Sequence, residues 1–488
     1  MTSSLEAGRD PLNTRLRKFL LLPVMTFPLL VLIAGINGTS WEFITLHLIM
    51  YALVVMYYFN TRDHSLVIFI VTHSFWLFSY LMFLYACVQQ TAADGSLIAP
   101  IRCSVIAAVY LLACLCARIV ALDDVSSGAD PGIRMPDGAT NMFCLLGLLF
   151  IPTRVIFGSE SFWYAISVAF TQFYWLGLYF KFDRQRMRLS DPVLLSGILL
   201  CLAVSILDNR RALMFEFSLT FVLIYLRTAA RAVTVPRLAL AVLGSIYLAR
   251  LSDIFLYGRL FVGRDRPAEL LSFMMSSLLS AEFILAPFDF TGSSRFRDAI
   301  NSYVSPFSSY RIATFEGRSG ILERATLLPH MDTVVGVLPQ STSIDWGEIV
   351  NTILSILPSF GQDKDVNFGD RLTWLTGLRP AGSVGHPLIT AAGEFFAMGG
   401  YALVFVWAFL LFSILFLELR LVTRLFKNRS IATLFVFTQA FYMMFSSTAI
   451  SATAVVIRQI PFLVCIYLTM MFLLFAKRGT SVQGMPRS

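Results

Sequence analysis

Apolar and polar positions alternate along this chain in long blocks. A helix needs about 20 apolar residues to cross a bilayer. Runs of that kind fall at roughly 18–35, 42–60, 65–87, 103–121, 142–158, 162–180, 191–207, 211–226, 238–257, 399–419, 431–450 and 459–476. The pattern therefore predicts twelve spans. It leaves one long segment, 259–398, with no obvious span and with apolar runs on both sides. The chain divides into an N-terminal membrane bundle of about nine spans (1–258), a large loop (259–398) and a C-terminal bundle of about three spans (399–488).

The large loop carries its own pattern. Pro267 to Leu285 begins like a helix, with proline in the first turn. It holds Glu269, Glu282 and several serines, which suits an interfacial or re-entrant helix better than a span. Ser341, Asp345 and Glu348 give N-cap and first-turn signals. The helix they start would carry Ile349, Ile353, Ile356 and Leu357 on one face and stop before Pro358. The fold class expected is an all-α polytopic membrane protein, with about twelve transmembrane helices and one large extracytoplasmic loop carrying short helices.

Composition agrees. Of 488 residues, 57% are hydrophobic and 14% are charged, against about 25% charged in soluble domains. The net charge of +8 does not point to nucleic acid, because the basic residues sit in short segments between spans. Walking the alternation puts Arg9, Arg15, Arg17 and Lys18 inside, then Arg62, Arg134, Lys181 with Arg184, Arg227 with Arg231, Arg420 with Arg424, and Lys477 with Arg478. The turns at 36–41 and 159–161 hold no basic residue. Both termini are then cytoplasmic and the 259–398 loop lies outside. The first apolar run lacks a clear cleavage site and is read as a retained span. The seven cysteines fall in or beside apolar runs, so neither a disulfide framework nor a cysteine metal site is expected.

Arginine dominates the positive charge of the loop, with ten Arg against one Lys. Its rigid donor fork suits phosphate and carboxylate. Two outer turns add more: Asp208-Asn209-Arg210-Arg211 between spans seven and eight, and Arg458 at the start of span twelve. Several arginines facing one site would suit a diphosphate, both for binding and for stabilising its charge as it leaves. Glycosyl transfer also needs a base for the acceptor hydroxyl. His386, in a turn with Gly382 and Gly385, and Glu394, one turn before span ten, are the leading candidates; His330, Asp332 and Asp345 are others. Glu216 within span eight and the pair Arg250 and Asp253 in span nine are charges at membrane depth. HExxH, Walker A and Rossmann patterns are missing from the sequence. Asp363-Lys364-Asp365 has the D-x-D form of metal-dependent transferases, but on the side where nucleotide sugars are not supplied. His47, His64 and His73 form no evident ligand set, so no metal or cofactor is expected.

Three stretches resemble the Wzy-type polymerases of O-antigen and exopolysaccharide repeat units. They are Asp208 to Met214, Ile353 to Lys364, and Gly382 through Gly393-Glu394-Phe395-Phe396 to Gly399-Gly400. The likeness covers the second half of the chain. It implies a metal-independent, inverting glycosyltransferase of the GT-C type in the bacterial inner membrane. Its donor and acceptor would be undecaprenyl-diphosphate-linked oligosaccharides, and a chain-length regulator is a candidate partner besides membrane lipid. Arg210 or Arg211 and Arg379 would hold the diphosphates, with Arg458 and Arg311 as further contacts. His386 and Glu394 would serve as base or positioning residues, and Arg379 would also act in catalysis. The alternatives are an O-antigen ligase, whose histidine motif continues with a polar residue where this chain has Pro387, and a flippase or transporter of lipid-linked oligosaccharides.

Overall fold

The computed structural model describes residues 11–60, 74–121, 137–157, 162–184, 190–207, 257–263, 266–285, 326–338, 345–356, 368–376, 389–426 and 448–476, together with isolated positions between 71 and 299. All regular elements among them are helical. The N-terminal part contains α1 (Pro11–Ile36), α2 (Trp41–Asn60), a π-helical turn (Trp76–Tyr80), α3 (Leu81–Gln89), α4 (Pro100–Ala121), α5 (Asp137–Ile156), α6 (Phe162–Arg184) and α7 (Pro192–Leu207). The middle part contains α8 (Pro267–Leu278), α9 (Ala281–Ile284), α10 (Leu327–Val335), α11 (Trp346–Ile356) and α12 (Phe368–Leu375). The C-terminal part contains α13 (Ala391–Phe426), α14 (Ala449–Ala454), a second π-helical turn (Val455–Gln459) and α15 (Ile460–Ala476).

Among the described residues, five stretches are long and apolar enough to cross a membrane: Trp41–Phe59, Pro100–Ala121, Asp137–Ile156, Ala391–Leu425 and Ala449–Met470. They match five of the twelve expected runs and make this a multi-pass membrane protein. The runs at 18–35, 65–87, 162–180 and 191–207 are described in whole or part and are helical there. Those at 211–226, 238–257 and 431–450 lie wholly or largely outside the described residues. α8 has twelve residues, about 18 Å of helix, well short of the roughly 30 Å hydrocarbon thickness.

Packing follows side-chain size. α6 is buried all round from 171 to 180, as a helix apolar on every side should be. It lies against α5 through small residues: a Cβ on Gly147 would sit 2.2 Å from the Tyr174 nitrogen, and one on Gly177 2.6 Å from Cys144 Sγ. Close backbone approach of this kind drives helix pairing where lipid removes the hydrophobic incentive. Buried polar side chains add cross-links. His47 bonds Ser79 at 2.7 Å and Ser104 at 3.1 Å, tying α2, the first π turn and α4 together. His47 is thus a core histidine; His64 and His73 lie outside the described residues.

One sequence expectation is corrected. Arg458 does not open a span after an outer turn: the helix starts at Thr448, whose hydroxyl accepts from the Ser451 N–H, and Arg458 lies within it. In α11, Ile349, Ile353 and Ile356 share one helical side as expected; Ile349 and Ile356 are buried and Ile353 is 49% exposed. Leu357 lies outside the described residues.

Candidate functional site

The helices of the 259–398 segment are fastened to the long apolar helices at two places. The first is the start of α4. A helix N-terminus leaves backbone N–H groups without partners, and Asp332 of α10 supplies them. Its carboxylate accepts from Ile98 N at 2.5 Å and Ala99 N at 2.8 Å, and Cys103 Sγ donates to it at 3.4 Å. Burial pushes the Asp332 carboxyl above the usual range, opposed by those N–H bonds and by Arg102. Arg102 completes the link at the other end of α10, donating to Val335 O at 2.9 Å and Leu338 O at 3.0 Å. Cation and carbonyl meet at a helix C-terminus, where the dipole favours positive charge.

The second fastening is built on α13 and α14. α13 opens at Thr390, whose φ of +72° is unusual for a β-branched residue. The Thr390 hydroxyl accepts from Gly393 N at 3.1 Å, and its carbonyl accepts from Glu394 N. Glu394 is fully buried. Its Oε2 accepts from Ala449 N at 2.7 Å, placing a carboxylate at the N-terminus of α14, where negative charge is favoured. Its Oε1 has no hydrogen-bond partner among the described residues. Just beyond, α13 breaks: Gly400 has φ 66° and ψ −162°, a region open essentially only to glycine. The Met398 carbonyl freed near the break accepts from Asp345 N at 2.7 Å. Asp345 in turn caps α11, its Oδ1 accepting from Glu348 N at 3.1 Å.

About two and a half turns after Ala449 comes Arg458. It sits in the π turn, closed by the Ile460 N–H to Val455 O bond. A π turn widens the helix by one residue and re-aims its side chains. Arg458 Nη1 donates to Ile356 O at 2.8 Å, the last carbonyl of α11, and is half-buried. An ion pair of Arg371 with Glu348 links α12 to α11. So α11 is held at its start by α13, at its end by Arg458, and along one side by α12.

Of the residues expected to act, the structure therefore brings Glu394 and Arg458 to the same junction. Arg210, Arg211, Arg311, Arg379 and His386 lie outside the described residues, as do Glu216, Asp253, Asp363 and Asp365. Asp332 and Asp345 turn out to be helix caps, and Glu394, with no exposed surface, positions α14. Arg102 at the first fastening and Ala449 at the second are contacts that sequence alone did not single out. Among the described residues no group of three or more His, Cys, Asp or Glu side chains could hold a metal ion.

Searches against family models, curated proteins and solved structures return no match for this chain. What stands is an all-α, multi-pass membrane protein with no family identified by these comparisons.

Proposed function

We propose that this chain is an integral-membrane glycosyltransferase that polymerises undecaprenyl-diphosphate-linked oligosaccharide repeat units on the outer face of the bacterial inner membrane. The observation that carries this reading is the Arg458 junction. There an arginine within the apolar stretch Ala449–Met470 bonds the last carbonyl of α11, a helix of the arginine-rich segment. A polyprenyl diphosphate needs that combination: lipid contact for its tail and guanidinium donors for its phosphates.

In the reaction, the acceptor hydroxyl oxygen attacks the anomeric carbon of the donor sugar from the face opposite the diphosphate. The bond from that carbon to the diphosphate oxygen breaks, and its electron pair leaves with undecaprenyl diphosphate. The acceptor proton passes to a base, for which His386 is the candidate. In this reading Arg210, Arg211 and Arg379 offset the developing charge, and Arg458 and Arg311 would serve in the same role. Glu394 holds the helix that carries Arg458. A chain-length regulator would act on this protein from outside the site.

The test is direct. Purified protein in lipid nanodiscs is given the cognate lipid-linked repeat unit in the presence of EDTA. A ladder of lengthening lipid-linked glycans supports polymerisation without a metal. Transfer to a lipid A core acceptor instead identifies a ligase. Movement of the lipid across the bilayer without any lengthening identifies a transporter.

A further inference from the structure

α11 has more apolar surface than its protein contacts use. Ile349, Thr352 and Ile356 are buried on one side, where the helix packs against α14 and α13. The adjoining side carries Trp346, Val350, Ile353 and Leu354, which are 68, 50, 49 and 57% exposed. Their spacing of i, i+4, i+7 and i+8 is one helical stripe. Glu348 and Ser355 lie on the far side of the helix from it. A stripe of four large apolar side chains with no charge among them does not suit water.

The position of α11 says what covers it. The α14 turns it packs on are the first turns of the candidate span Ala449–Met470, so α11 lies at the level where that span begins. Its C-terminal carbonyl is bonded by Arg458, and the neighbouring Ile457 is itself half exposed. The stripe of α11 and Ile457 are thus both uncovered apolar surface beside the first turns of the span. A tryptophan at one end and an arginine at the other are the side chains that settle at the membrane–water boundary.

We propose that α11 is an interfacial helix whose Trp346–Leu354 stripe is embedded in the acyl-chain boundary of the bilayer leaflet adjoining Thr448. The partner is the lipid surface itself, and the inference does not depend on glycosyl transfer. Embedding fixes the depth of α11, and through Arg458 it fixes the depth of the junction.

The test uses full-length protein in native membranes, with benzoylphenylalanine replacing Val350, Leu354 or, as a control, Ser355. After irradiation the adducts are identified by mass spectrometry. Phospholipid adducts at 350 and 354, several-fold above those at 355, are expected. Equal lipid labelling at all three positions overturns the proposal, because the stripe would then not be distinguished from the polar face. A cross-linked dimer in place of the lipid adduct overturns it in favour of a second copy. Adducts with polyprenyl carrier alone would make the stripe a substrate contact instead.

Discussion

Glu394 Oε2 and the backbone N–H of Ala449 are 2.7 Å apart across 55 residues of chain. This bond joins the first turn of α13 to the first turn of α14, and α14 leads directly into the turn that holds Arg458. The carboxylate therefore acts on the site through the helix it starts.

Replacing Glu394 with alanine leaves the buried Ala449 N–H without its acceptor. A lost bond of that kind costs about 1–3 kcal/mol. Thermal unfolding in detergent should show E394A destabilised, whereas E394Q, whose amide oxygen can accept the same bond, should lie closer to wild type. Equal melting of all three proteins would mean that the bond does not hold the junction.

Asp332 gives the fold a pH dependence of known sign. Its folded-state pKa is raised, chiefly by burial, so the folded protein binds more protons than the unfolded chain above the ordinary carboxylate value of about 4. Its contribution is fully present below that value and is lost as pH rises through the raised folded pKa. The amide of D332N does not titrate. The melting temperature of D332N relative to wild type should therefore rise as pH increases across this window. D332A, which also removes the cap from α4, should lose about 0.5–2 kcal/mol.

Gly400 is the point at which α13 changes direction, and its backbone angles exclude a Cβ without strain. Gly400→Ala should cost on the order of 1–3 kcal/mol. It should also disturb the Met398 carbonyl that accepts from Asp345. Faster hydrogen exchange at the start of α11 in G400A would report that disturbance; unchanged exchange there would separate the break from the loop.

The spans that could be read were those in which apolar side chains far outnumber charged ones. The run at 42–60 became Trp41–Asn60 and that at 103–121 became Pro100–Ala121. The start of α14 was misplaced because Ser451, Ala452 and Thr453 read as a polar turn. In the fold they are helical and largely buried, started by the Thr448 cap and by a carboxylate from a distant segment. Periodicity put Ile353 on one apolar side with Ile349 and Ile356, but periodicity does not show how much of that side the protein covers. Asp332 and Asp345 looked like candidate bases because a carboxylate that caps a helix and one that takes a proton are the same residue type. Only the partner, 233 residues away in the case of Asp332 and Ala99, tells them apart.

The polymerase reading is tested most directly by glycan length in cells. The gene is deleted and restored as wild type or with Arg210→Ala, Arg211→Ala, Arg379→Ala or Arg458→Ala, with expression verified for each. Deletion should leave single repeat units on the surface, wild type should restore long chains, and at least one arginine variant should fail to do so. Long chains accumulating on their lipid carrier after deletion, or single units retained on the cytoplasmic side, would contradict it.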